Sequence, residues 1–183
     1  MKTKINLRWL IKVILISVAA STVFTLASTE VLGRAGYIIS FSILALFILV
    51  GLVFDVVGVA VMAASEAPFH SMAAKRQKGA AESIRLVKNA DKVSSYCNDV
   101  VGDVTGIISG TTAGLIAARL MDSFSSESLL FPLIISGAVT GVTVGSKAIG
   151  KNAAINNSTT IVLQVGKLIG FLKLKPKHNS KSK

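Results

Sequence analysis

Among the ionisable side chains inside or at the ends of otherwise apolar stretches, five fall at similar depth: Asp55, Asp99, Asp103, Lys147 and Lys151. A charge in such surroundings is costly to bury and is a functional candidate by default. Asp99 and Asp103 are four residues apart, so a helix carries both on one face. Hard divalent cations take oxygen ligands. The oxygen donors there are Asp55, Asp99 and Asp103, with Thr105 and Thr140 as hydroxyls along a path. The competing reading is internal pairing, in which Lys147 neutralises Asp55 or Asp103. Asp99 can also cap a helix, where an acid suits the N-terminal dipole.

The elements that must carry these residues follow from hydropathy. The 183 residues are 51% hydrophobic and 16% charged, with a mean hydropathy of +0.65. A soluble domain carries about 25% charge, so the composition is that of a membrane protein. Four windows are long enough for a helix to cross a bilayer: Trp9 to Ser28, Tyr37 to Ala64, Val100 to Leu120 and Leu129 to Ala148. The first has a basic start like a signal peptide but lacks a clean small-x-small exit, so a retained span is expected. Two short amphipathic helices, about 66–77 and 80–95, separate the second and third spans. Thr160 to Leu174, with Ile161, Val165, Leu168 and Leu172 on one face, is too short to cross and reads as an in-plane interfacial helix. The expected fold is therefore all-α: one transmembrane domain over 1–174 and a disordered basic tail over 175–183.

The basic residues alternate. Residues 1–8 hold three Lys and Arg, 29–36 one, 65–98 six, 121–128 none and 149–183 seven. The positive-inside rule then puts both termini and the 65–98 segment in the cytoplasm and the chain in the inner membrane. The net charge of +11 flanks the apolar segments without aromatic interleaving, so it implies anionic lipid rather than nucleic acid as partner. One cysteine, Cys97, permits no internal disulfide. The isolated His70 and His178 offer no zinc, haem or iron–sulfur set, and no nucleophile–base constellation or phosphate loop is present. The expectation is no enzyme and no cofactor.

Glycine recurs at a spacing of four: Gly102, Gly106, Gly110 and Gly114 in the third span, Gly137, Gly141 and Gly145 in the fourth. Each costs a helix about 1 kcal/mol against Ala. Small residues let helices approach closely in lipid, where hydrophobic drive between them is weak. A hydroxyl precedes several of these glycines, at Thr105, Ser109, Ser136 and Thr140. The expectation is a tight hairpin with two facing grooves, its hydroxyls able to bond across. The same glycine stripes could instead pack between subunits of a homo-oligomer or line an oligomeric pore.

From Asp55 onward the order of features resembles the membrane domain of the CorB/CorC and cyclin-M magnesium and cobalt transporters. The resemblance is carried by an Ala-Ala-x-Glu-Ala stretch at Ala63–Ala67, basic residues at Lys75–Gln77, a Gly-to-Ala turn at Gly79–Ala81 and a corner at Asn89–Lys92. A Gly-Ser-Lys region from Gly145 closes the spans before the interfacial helix. It covers about residues 50–174 and implies a divalent-cation transporter membrane domain, with Mg²⁺ as the ion bound or transported; Mg²⁺ keeps several waters and needs only one or two carboxylates, so a sparse site is compatible with it. In that family hydroxyls, an Asn and a Glu hold the ion. Here the hydroxyl positions are Val59 and Ala63, and the Glu position falls on Ser146 or Lys147. Asn98 alone matches in type, so Asp55, Asp99 and Asp103 would have to substitute, and a domain without transport activity is among the implied outcomes. The alternative is a structural or regulatory membrane protein that packs against partners through its glycines.

Overall fold

The computed structural model describes residues 7–34, 36–124 and 130–173. The tail expected over 175–183 and the 125–129 connection lie outside them. Every element among the described residues is helical: α1 (Leu7–Arg34), α2 (Tyr37–Ala63), α3 (Ala67–Ala74), α4 (Ala80–Lys88), α5 (Ala90–Ser95), a π segment (Tyr96–Gly102), α6 (Asp103–Phe124), α7 (Leu130–Asn156) and α8 (Ser158–Lys173).

Three helical runs are long and apolar enough to cross a membrane: Tyr37–Ala63, Ala90–Ser123 and Pro132–Asn156. The 27 residues of α2 reach about 40 Å. The described apolar stretch of α1, Ile11–Ala27, is shorter than these. The α5, π and α6 segments form one continuous run, so the second amphipathic helix expected from the sequence is split. Its first part is α4, and after the Asn89 turn its remainder opens the third long helix. Proline falls where its missing N–H does no harm: Pro68 in the first turn of α3, Pro132 in the first turn of α7.

The central element is α2. It packs against α5, the π segment, α6, α7 and α8, while α1 packs on α6 and the π segment. Two apolar clusters fix this arrangement. One joins Leu44 of α2 to Ala113 and Ile116 of α6, with Ile135 and Val139 of α7 against it. The other joins Ala60 and Val61 at the end of α2 to Phe69, Ala154, Val162 and Leu163. The second cluster anchors α8: its Val162 and Leu163 face the protein, while Leu168 and Leu172 are exposed. The face picked out by sequence periodicity is thus partly the outward one.

The hairpin of facing glycine grooves is not formed. A methyl group built on Gly106, Gly110, Gly114, Gly137, Gly141 or Gly145 would meet no heavy atom within 4 Å. The two helices do pack, but through other faces. On α6 the buried residues among those described are Val104, Thr105, Ile108, Ser109, Thr112, Ala113, Ile116 and Ala117. On α7 the inward pair is Ile135 and Val139. Two residues of helix turn a side chain by about 200°, so the Gly106 stripe points away from the face that Ile108 buries. The two α6 hydroxyls of that reading bond within their own helix: Thr105 Oγ1 donates to Val101 O at 2.8 Å, and Ser109 Oγ to Thr105 O at 2.8 Å.

Candidate functional site: a buried carboxylate paired with lysine at a reciprocal glycine interface

Antiparallel α2 and the π–α6 run meet along three rungs. On α2 the positions are Gly51, Asp55 and Gly58, spaced i, i+4 and i+7 and so on one face. Opposite them stand Thr105, Gly102 and Asn98. At each rung one partner is glycine and the other a polar side chain. A methyl group on Gly51 would run into the Thr105 hydroxyl, one on Gly58 into the Asn98 carboxamide, and one on Gly102 into Asp55 Oδ1. The helices approach closely because each side chain is received by a partner without one.

Asp55 is 6% exposed, and Lys147 Nζ of α7 lies 2.7 Å from its Oδ2. One carboxylate oxygen therefore faces Gly102 and the other an ammonium. A fourth glycine brings α7 within reach: a methyl on Gly150 would lie 2.8 Å from Leu52 Cδ1 and 2.9 Å from Val56 Cγ2. Lys147 precedes Gly150 by three residues, less than one turn, so this close contact of α7 with α2 sits beside the ion pair.

Asn98 lies in the π segment. Its Nδ2 donates to Ser94 Oγ at 3.1 Å, while its buried Oδ1 has no hydrogen-bond partner among the described residues. Thr112 Oγ1, fully buried on α6, is in the same state. A π turn often marks a functional site, and here it carries Cys97, Asn98, Asp99 and Gly102.

Asp99 and Asp103 do share a face, as their spacing predicts, but not with Asp55. They line a cleft of about 390 Å³ between α1 and the start of α6, opposite Ser17, Ser21 and Thr22. Both are exposed. The four candidate metal ligands are thus divided: Asp55 turns to Lys147, Asn98 to Gly58, and Asp99 and Asp103 to α1. Among the described residues no group of three or more His, Cys, Asp or Glu side chains is gathered as a metal site. Lys151 is exposed, and Glu66, the acid of the Ala63–Ala67 stretch, sits 3.4 Å from His70 one turn on.

Sequence reasoning singled out Asp55, Gly102 and Lys147 and missed Gly51, Gly58 and Gly150. The signal was available in the i, i+4, i+7 spacing around Asp55, which puts two glycines and a carboxylate on one stripe of α2. Comparison with family models, curated proteins and solved structures finds no match.

Proposed function

We propose that this chain is an integral membrane protein whose domain resembles that of a divalent-cation transporter, with a tethered ammonium in place of the cation. It would serve a structural or regulatory role rather than transport. The observation that carries the reading is the 2.7 Å contact between Lys147 Nζ and Asp55 Oδ2. An ammonium at that distance neutralises the carboxylate and supplies N–H donors where a metal would need oxygen acceptors. A second cation brought to Asp55 would be repelled by Lys147, and strongly so away from water. Lys147 is also one of the two residues that fall on the acidic position of the transporter family, so the substitution there reverses the sign of the charge. The open glycine stripes of α6 and α7 support the accompanying role, since they offer partners a smooth surface for close helix packing. The four-span topology, with both termini in the cytoplasm, belongs to this reading.

The test is flux of Mg²⁺ and Co²⁺ in liposomes holding the purified protein. Flux no greater than in protein-free liposomes is expected. Metal flux that disappears in Asp55→Ala would overturn the tethered-ammonium reading.

Divalent-cation handling is a second reading, and the cleft of Asp99 and Asp103 against Ser17, Ser21 and Thr22 favours it. These residues would bind the ion without Asp55. On that reading Asp99→Asn with Asp103→Asn abolishes flux and Asp55→Ala leaves it intact.

A further inference from the structure

A second cleft, of about 770 Å³, opens between the turn entering α4 and the C-terminal half of α8. Its walls include Gln77, Lys78, Glu82, Lys167 and Phe171. The backbone fixes its shape. Gly79 holds φ +86° ahead of α4, and a methyl group there would lie 2.5 Å from the Lys167 backbone nitrogen. Gly166 is buried against the same turn, where a methyl group would run into Ser83 Oγ and Gly79 O. Ser83 Oγ completes the joint by donating to Val162 O at 3.1 Å. The Gly79–Gly166 contact therefore brings Lys78 and Lys167 to one cleft, and both side chains are exposed.

Beside these two cations lies apolar surface. Phe171, one turn after Lys167, is 76% exposed, and Leu168 and Leu172 are 60% and 68% exposed. Two lysines at the rim of a cleft, continuous with an unpaired apolar helix face, suit a ligand with a phosphate at one end and hydrocarbon at the other. A free phosphate would leave the apolar face uncovered. The volume suits a headgroup, since small-ligand sites run from about 300 to 1,000 Å³. Lys75 and Arg76 precede the cleft closely in sequence and add to its positive charge, so anionic lipid is favoured over zwitterionic lipid. Glu82 on the same wall can accept from a headgroup hydroxyl.

We propose that the α4–α8 cleft binds an anionic, hydroxyl-bearing phospholipid of the phosphatidylglycerol type, phosphate on Lys78 and Lys167 and acyl chain along Phe171 and Leu172. The proposal rests on the membrane reading above but not on whether the chain transports. The test is native mass spectrometry of the full chain in detergent with added phosphatidylglycerol or phosphatidylcholine. Phosphatidylglycerol is expected to remain bound and phosphatidylcholine to be lost. Lys78→Gln with Lys167→Gln should weaken retention roughly 30-fold, the loss expected when two lysines leave an anionic surface. Lys88→Gln with Lys92→Gln, away from the cleft, should leave it unchanged. Equal retention of the two lipids, no effect of the cleft variant, an equal effect of the distant one, or displacement by soluble glycerol phosphate would each overturn the proposal. The membrane reading is tested apart by whether the protein inserts into liposomes, and the transport reading by metal flux.

Discussion

Asp55 and Gly102 meet across the α2–α6 interface, the carboxylate occupying the space that any side chain at position 102 would need. The same carboxylate is held from its other side by Lys147. The glycine thus does more than permit close approach. It leaves Asp55 free to turn toward α7.

From this, Gly102→Ala destabilises the fold by about 1–3 kcal/mol, the usual range for overpacking. Asp55 cannot retreat from the new methyl without stretching the contact with Lys147. Gly106→Ala, one turn on and facing open space, is neutral or stabilising by up to about 1 kcal/mol, because only the helix preference changes. Denaturation in detergent, followed by circular dichroism, compares the two. In an Asp55→Ala background the penalty at position 102 should largely vanish. An unchanged penalty would mean that Asp55 is not what Gly102 accommodates.

The Asp55–Lys147 pair makes a second prediction. Asp55 is buried and Lys147 partly so; breaking a buried pair strands a charge and costs up to about 3–5 kcal/mol, whereas replacing both partners by neutral groups of similar size is often harmless. Asp55→Asn and Lys147→Met should each be strongly destabilising. The double variant should recover most of the loss. Additive losses in this cycle would show that the two residues stabilise the fold independently.

How far these relationships were legible beforehand varies with the physical signal. Hydropathy alone located α2, α6 and α7, because a run of apolar residues needs no knowledge of its neighbours. Spacing also placed Asp99 and Asp103 on one face, and both line the α1 cleft. The glycine stripes were visible, but their direction was not. A period of four says that Gly106, Gly110 and Gly114 align; whether they face in or out depends on whether Ile108 and Ile116 find a better partner, and they do. The π segment left no mark in residue type, so the division of the acids between two places could not be read from the sequence. Lys147 as the partner of Asp55 was one of the open alternatives, and only the close passage of α7 at Gly150 decides it.

A third prediction concerns the joint that carries α8. Gly79→Ala forces a left-handed backbone onto a residue with a Cβ, costing about 1–2 kcal/mol, and drives that Cβ against the Lys167 backbone. Gly166→Val removes the space that Ser83 and the Gly79 carbonyl occupy. Either change should loosen α8 while α2 and α6 keep their packing. Hydrogen exchange would show this as faster exchange over 158–173 with little change over 40–60. Uniform acceleration through the chain would mean that α8 is integral to the bundle and not a separately hinged element.

The last prediction separates the two uses of glycine. Gly51, Gly58, Gly102 and Gly150 are filled from within the chain, whereas Gly110 on α6 and Gly141 on α7 look out on open space. If the partner-packing role is right, the outward stripes are where another helix docks, because a groove without side chains gives the closest contact available in lipid. Gly110→Leu and Gly141→Leu should then leave the thermal stability of the single chain nearly unchanged, since no heavy atom lies within 4 Å of the added Cβ. They should, however, abolish cross-linking to a second copy or to a co-purifying partner. Gly58→Leu should do the reverse, lowering the stability of the chain as it displaces Asn98 while leaving the outward surface intact. Cross-linking in intact membranes, read beside melting curves of the same variants in detergent, distinguishes the two classes. Complexes that survive leucine at both outward positions would place the partner surface elsewhere, with the exposed apolar face of α7 at Leu133 and Ile134 the next to vary.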